Sequence, residues 1–447
     1  MEYIDIYDYL LLPLYLFVFF YLIILRSRKY DKSPRRKYFI TAFWLHMLGA
    51  FLYCMMVQYY YGYGDSFEFY YGSNYLRHII SSTGDPVTPF FSSSEYFVRT
   101  YPEGPNSSFT LPISISVDSN LTIMKISAAL SYLTFNSYVV ISSLFGLFSF
   151  AGVWKLFKVM DDITKSRSSK YLAILILYLP SVWFWGSGLI KDSICLGCIG
   201  FCIYFIYTAF VTRKWKPHHI ILFIILFYIL YSVKSYLALT LLTSIALSYA
   251  LQLLLKNKGS MLKLTFVVII LGSIAMVLMM NFASSLDSII EDSKDSIENF
   301  KNAYTSESIN NDISNFSTVT ADISVGGILL QSPVAIGTVL FRPFLWESDK
   351  VVVFLAALES LLLTALTVYL IIKCRVYKFF YYVITEPYAF FCFVYVIALS
   401  VIVGLSTFNF GTMARYRLPI LPFYFFMLIY IYTKNKSSTK SELQQSE

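Results

Sequence analysis

The sequence predicts an all-α, polytopic membrane protein, and three observations lead to that prediction. Of its 447 residues, 57% are hydrophobic and only 14% are charged, whereas a soluble domain carries about a quarter charged residues. Apolar runs recur along the whole chain, and many approach the roughly 20 residues that a helix needs to cross a bilayer. No segment of about ten residues alternates in polarity as the strands of a membrane barrel do.

The apolar runs predict about eleven transmembrane helices. They lie at 9–25, 38–61, 136–157, 171–186, 189–211, 219–233, 235–255, 262–282, 351–372, 388–407 and 418–433. The acidic start of the chain, MEYIDIYDYLLLP, lacks the basic residues of a signal peptide, so we interpret the first run as a retained helix.

Lysine and arginine decide the predicted orientation, because cytoplasmic loops are enriched in both. The stretch RSRKYDKSPRRK (26–37) is strongly basic and is placed inside, which puts the N-terminus outside. Alternation then places the other basic loops, with most of the 35 lysines and arginines, on the cytoplasmic side. We expect a single transmembrane domain over 1–433 in the cytoplasmic (inner) membrane. A disordered cytoplasmic tail at 434–447 is expected to follow.

Two predicted outer segments are long, at about 62–135 and 283–350, whereas the inner loops are short. The first is rich in Pro, Gly and Ser and contains a short helix around GSNYLRHII. The second contains LDSIIEDSKDSIENF, whose apolar residues recur at helical spacing against an acidic face. Such a segment is typical of a helix that lies along the membrane surface. The chemistry of the protein is therefore expected to face outward.

Five bases lie near outer ends of predicted helices, on the side where bases are scarce. They are Lys191, Lys234, Arg342, Arg415 and Arg417. A base at this depth suggests a partner with concentrated negative charge, such as a phosphate. For any one of them a simpler explanation exists, because a lone lysine near a helix end often extends its charge to the interface. Lys191 could also pair with its neighbour Asp192.

Asp65 is the acidic candidate, in the stretch QYYYGYGDSFEFYYG that follows the second predicted helix. Gly62 and Gly64 allow a sharp turn there, and Tyr63 belongs to a run of aromatic residues around it. A carboxylate held among aromatic rings near the bilayer is suited to act as a general base. The alternative is a turn in which Asp65 caps the next helix.

These features resemble the GT-C class of integral-membrane glycosyltransferases, which take a sugar from a polyprenyl phosphate or diphosphate at the outer membrane face. The resemblance rests on the position of Asp65 and on three short stretches. These are LPSVWFWGSGLIKDS (179–193), LFRPFLWE (340–347) and GTMARYRLPILP (411–422). They are similar to segments of bacterial envelope-polysaccharide membrane proteins. Here the acid follows the second helix rather than the first, which implies one additional N-terminal helix.

The resemblance implies a role for each residue. Asp65 would deprotonate the acceptor hydroxyl, or bind a metal, although the sequence itself indicates no metal site. The five bases would hold the carrier phosphate and stabilise the charge that develops on it. Asp192, Glu347 and Tyr63 would support them. The implied partners are a lipid-linked sugar donor, a glycan or lipid-linked acceptor and membrane lipids, with no nucleic acid.

Two alternative functions stay open at this point. The first is a polymerase or ligase of O-antigen or capsule repeat units, which would use similar lipid-linked substrates. The second, from a different class, is a transporter or flippase, for which the sequence lacks the paired, broken helices of internal repeats. Glu359 lies within a predicted helix and is a functional candidate on that ground.

Overall fold

The computed structural model describes residues 3–31, 33–101, 111–256, 325–348, 350–407 and 409–445. The described chain is helical throughout, with no strand, and it divides into two compact units. The first unit consists of 1–163 and 173–234, and the second of 164–172 and 235–447. Each unit is described by itself.

The first unit begins with two long helices and continues through four shorter ones. Three apolar helices follow, and one short helix lies between the first and second of these. These are α1 (Ile6–Ser27), α2 (Arg35–Met55), α3 (Asp65–Thr83), α4 (Val87–Phe91), α5 (Ser94–Thr100), α6 (Asp118–Ser131), α7 (Tyr138–Ile163), α9 (Pro180–Trp185), α10 (Lys191–Ile206) and α11 (Pro217–Val233). Wider helical turns extend α2 to Tyr61 and α10 to Val211.

The second unit contains one short helix from the loop after α7 and all the helices that follow α11. These are α8 (Ser169–Leu172), α12 (Ser235–Lys256), α13 (Val325–Phe341), α14 (Val351–Cys374), α15 (Val376–Thr385), α16 (Pro387–Ser406), α17 (Phe410–Tyr416) and α18 (Leu421–Gln445). Helix α16 packs against α12, α13 and α18 and so forms the centre of this unit.

Seven helices in the described parts of the chain are long and apolar enough to cross a membrane. They are Ile6–Tyr30, Arg35–Tyr61, Tyr138–Ile163, Lys191–Val211, Ser235–Leu253, Val351–Cys374 and Pro387–Ser406. Each coincides with a predicted span. The pair α17 and α18 would add an eighth, bent by 63°. The chain is therefore a multi-pass helical membrane protein.

The other predicted spans have different outcomes. The predicted span at 219–233 corresponds to α11 (Pro217–Val233), which is apolar but has only 17 residues. The span at 171–186 is broken, because Pro180 begins a new helix and the preceding Leu179 is extended. The span at 262–282 and the surface helix expected at LDSIIEDSKDSIENF (286–300) lie outside the described residues.

Three segments predicted as outer loops or as a tail contain more helix than expected. Helix α13 is apolar and falls within the segment predicted as an outer loop at 283–350. The first outer segment holds α3, of 19 residues, where only a short helix was expected. Helix α18 continues to Gln445, through most of the segment predicted to be a disordered tail.

Helices α7 and α10 form the closest packing in the first unit. A Cβ added at Gly152 would lie 2.2 Å from the carbonyl oxygen of Gly197, and one added at Gly200 would lie 2.1 Å from that of Gly152. The missing side chains let the two backbones touch, as small residues do in membrane helix pairs. This pair fixes the positions of the residues at both of its ends.

Contacts at those two ends show how the neighbouring helices alternate in direction. At one end the backbone N–H of Tyr3 donates to Gln58 Oε1 at 3.2 Å, and Asp8 accepts a hydrogen bond from Ser137. At the other end the indole of Trp154 donates to the Tyr30 hydroxyl at 3.2 Å. Ends of α1, α2 and α7 that the sequence places on the same side therefore lie together.

Candidate functional site

Asp65 is the first residue of α3, directly after the turn that ends the second helix. Gly62 adopts φ 71° and Gly64 φ 142°, in the region that favours glycine. Gly64 is the N-cap residue and has no side chain to cap the helix. A carboxylate in the first turn is favourable here because the helix N-terminus carries partial positive charge.

The carboxylate of Asp65 is exposed, in contrast to the enclosed aromatic setting that the sequence suggested. Tyr63 is also exposed, as are the tyrosines at 59–61. The buried rings of α3 lie further along the helix, at Phe67, Phe69 and Tyr70. Asp65 is consequently accessible to a molecule that approaches this end of the unit.

Tyr70 anchors α3 to the loop before α7. Its hydroxyl donates to the carbonyl oxygen of Asn136 at 2.7 Å, and burial raises the pKa of Tyr70 to about 12. Beside it, Ser66 and the buried Tyr138 share a hydrogen bond of 2.7 Å between their hydroxyl groups. These contacts hold the first turns of α3, and with them Asp65, against the start of α7.

Lys191 begins α10 and is held at the same end of the unit. Its ammonium donates to the hydroxyl of Ser119 on α6 at 2.8 Å. The charge of Lys191 is attracted by Asp65 and Asp192 and repelled by Lys234. The sequence identified the lysine, but Ser119 carries no recognisable signal because its role depends on where α6 packs.

Lys234 and Asp192 form a buried ion pair. The ammonium nitrogen lies 2.5 Å from a carboxylate oxygen, and the two side chains are 8% and 0% exposed. Asp192 lies in the first turn of α10, and Lys234 directly follows α11. The pair therefore joins two helices, and the charge of Lys234 is balanced within the protein.

In the second unit, Arg342 is held by Glu347. Its Nε donates to both carboxylate oxygens, at 3.0 and 3.2 Å, and a terminal nitrogen donates to one of them. Glu347 also accepts from the backbone N–H of Phe344 at 2.8 Å, which closes the turn. The guanidinium lies 5.0 Å from the ring centre of Phe410.

Arg417 is 1% exposed and binds groups of its own unit. It donates to Ser360 Oγ at 2.6 Å, to the carbonyl oxygen of Ala356 at 2.9 Å and to that of Arg342 at 3.2 Å. Glu359 supplies the counter-charge at 3.6 Å. Glu359, which the sequence singled out as a lone acid, is thus the partner of a buried arginine.

Arg415 lies two residues before Arg417 and differs from it in being half-buried. Its guanidinium lies 5.6 Å from the ring centre of Tyr416. Within each unit, then, the structure brings together one set of predicted residues. These are Asp65, Lys191, Asp192 and Lys234 in the first unit, and Arg342, Glu347 and Arg417 in the second.

The chain matches no protein-family model, no curated protein and no solved structure. Within the described ranges, no group of three or more His, Cys, Asp or Glu side chains is placed to hold a metal ion. The six cysteines are all buried and unpaired with one another.

Proposed function

We propose that this chain is a membrane glycosyltransferase that moves a sugar from a polyprenyl phosphate or diphosphate to an acceptor outside the cytoplasmic membrane. The observation that carries the proposal is the exposed side chain of Asp65 at the same end of the first unit as Lys191, whose charge it attracts. A base and a phosphate-binding cation are the two groups that this transfer needs.

In the proposed reaction the acceptor hydroxyl gives its proton to Asp65 as its oxygen attacks the anomeric carbon of the sugar. The bond from that carbon to the carrier phosphate breaks, and the phosphate leaves with the bonding electron pair. Lys191 stabilises the negative charge that develops on it. The hydrogen bond to Ser119 holds the ammonium in place for this role.

The other predicted phosphate ligands take different parts in the proposal. Lys234, Arg342 and Arg417 are each held by a carboxylate of their own unit, so we assign them to the support of the helices. Arg415, which is half-buried, stays a candidate phosphate ligand of the second unit. Replacing Arg415 by alanine tests that assignment separately from Asp65.

A strain that lacks the chain, complemented with variants, tests the proposal. The envelope glycan is released and its repeat units are analysed by mass spectrometry. We expect the deletion to remove one sugar from each unit and Asp65→Asn to fail to restore it, because loss of a general base costs about 10²–10⁴-fold in rate. Glu95→Gln is the matched control, since it removes an exposed carboxylate of the same predicted outer segment, which pairs with Arg99.

The result that contradicts the proposal is full restoration by Asp65→Asn at wild-type protein levels. Accumulation of complete single units in the deletion strain would instead favour the alternative, a repeat-unit polymerase or ligase. Unchanged glycans together with saturable substrate counterflow in proteoliposomes would favour a transporter. Equal thermal unfolding midpoints of the purified variants exclude misfolding as the cause.

A further inference from the structure

A cavity of about 270 Å³ lies at the end of α7 and α10 opposite to Lys191. We call it the basic cavity, and its charged lining consists of Arg26, Lys29, Lys155 and Lys158. Tyr204 of α10 also lines it, about 20 Å along the helix from Lys191 at 1.5 Å per residue. The basic cavity is therefore separate from the candidate site.

The four bases converge from α1, the turn that follows it and α7. Arg26 and Lys29 are exposed and come from the end of α1 and the turn that follows it, whereas Lys155 and Lys158 are half-buried on α7. Each of the other three bases repels the charge of Lys155. Like charges gathered around one cavity destabilise one another unless an anion lies among them.

Among the described residues, Asp162 attracts the charge of Lys158 but forms no ion pair with it. In the parts of the chain that the structure covers, no acidic side chain forms an ion pair with any of the four bases. Asp161 and Asp162, at the end of α7, are ion-paired with another base, because Arg35 lies 2.5 Å from Asp161 and 2.8 Å from Asp162. This contrasts with Lys234, Arg342 and Arg417, whose charges are balanced within the protein.

Aromatic side chains hold the two inner lysines in position. The ammonium of Lys155 lies 3.9 Å from the ring centre of Tyr204, and that of Lys158 lies 5.5 Å from it. Trp154 lines the cavity as well and is fixed by its hydrogen bond to Tyr30. A cation over an aromatic face keeps its ammonium hydrogens available for a second partner.

We propose that the basic cavity binds a phosphate group, carried by an anionic lipid headgroup or by a small phosphate compound. Basic pockets between membrane helices on the predicted cytoplasmic side are suited to lipid phosphates. Sites for larger organic ligands typically enclose about 300–1,000 Å³, so a volume of about 270 Å³ favours a headgroup over an extended glycan. This proposal does not depend on the proposed transferase activity.

Thermal unfolding of the purified protein in neutral detergent tests the proposal. The probes are short-chain phosphatidylglycerol, short-chain phosphatidylcholine and inorganic phosphate, at constant ionic strength. We expect phosphatidylglycerol or inorganic phosphate to raise the unfolding midpoint, and phosphatidylcholine to leave it unchanged. A rise with phosphatidylglycerol alone assigns the site to a lipid headgroup, and a rise with inorganic phosphate assigns it to small phosphates as well.

Paired charge-removing variants locate the binding. Lys155→Gln/Lys158→Gln is expected to weaken the apparent affinity about 25-fold, since each base near an anionic surface contributes about fivefold. Arg26→Gln/Lys29→Gln removes the two exposed bases of the cavity, whose loss should not disturb folding. It is expected to weaken the apparent affinity as well, which tests the cavity even if Lys155 and Lys158 are needed for folding. The matched control is Lys214→Gln/Lys216→Gln, two exposed lysines of another loop on the same predicted side.

Two outcomes overturn the proposal. One is that no anionic probe stabilises the wild-type protein. The other is that the control pair loses as much affinity as the cavity pairs, which would mean that the probe responds to net charge alone.

Discussion

Replacing Arg417 by methionine distinguishes a structural arginine from a phosphate ligand. The side chain is 1% exposed and makes three hydrogen bonds, to Ser360 Oγ and to the carbonyl oxygens of Ala356 and Arg342. Its counter-charge is Glu359, at 3.6 Å. Methionine keeps much of the apolar stem but removes every one of these polar contacts.

The expected loss of stability follows from these contacts. Hydrogen bonds between membrane helices contribute about 0.6 kcal/mol each, so three of them account for about 2 kcal/mol. Removing the arginine also leaves Glu359 buried without its charged partner, and breaking a buried ion pair typically costs about 3–5 kcal/mol in total. We therefore expect Arg417→Met to destabilise the protein by at least about 3 kcal/mol.

The double variant Arg417→Met/Glu359→Leu provides the sharper test. Apolar replacement of both partners of a buried ion pair is often neutral or stabilising, so the double variant should regain at least half of the loss. Unfolding is followed by tryptophan fluorescence during titration with a denaturing detergent. Arg415→Met is the control, and its half-buried side chain predicts a loss of less than about 1 kcal/mol.

A loss below 1 kcal/mol for Arg417→Met would refute this reasoning. So would a double variant that is less stable than the single one. If the single variant were as stable as wild type but inactive, Arg417 would be a ligand-binding residue, as the sequence alone suggested.

Two further predictions concern packing and ionisation in the first unit and a matched position in the second. Gly152→Ala should destabilise the contact of α7 with α10 by about 1–3 kcal/mol, because the new Cβ would overlap a backbone oxygen. Gly337→Ala on α13, where a Cβ meets nothing within 4 Å, should be neutral or slightly stabilising in the same unfolding assay. For Tyr70, the pKa of about 12 lies above the ordinary value of 10. Its stabilising contribution is therefore complete below pH 10 and is lost as pH rises towards 12. Tyr70→Phe should remove that loss and lower the phenolate absorbance that appears near pH 12 in an alkaline titration, and an unchanged titration would contradict the prediction.

The long helices could be predicted from the sequence because each one coincides with a long apolar run. Helix α13 shows where that criterion is insufficient. Its 17 residues include the glycines at 326–327 and Pro333, which lower helix propensity. The helix packs against α16, where the backbone of Ala335 lies against Gly404. Tertiary packing of this kind outweighs local propensity.

The sequence identified the charged residues of the candidate site, but it did not identify most of their ion-pair partners. Arg342 and Glu347 are five positions apart in the stretch LFRPFLWE, so their pairing was within reach of the sequence. Lys234 and Asp192 lie in different helices, and their ion pair depends on how α10 and α11 pack. A count of bases near helix ends therefore overestimates the number that are available to a ligand.

Internal pairing separates the bases of this protein into two kinds. The bases of the first kind, such as Lys234 and Arg417, have an acid of their own unit within 4 Å, and their removal should be measured as lost stability. Those of the second kind line the basic cavity, where the described residues offer the charges no acid within that distance. The enrichment of bases on the predicted cytoplasmic side explains their number. It does not explain why four of them line one cavity, two of them over the ring of Tyr204. An anion bound among them would account for that arrangement, because it would turn mutual repulsion into attraction.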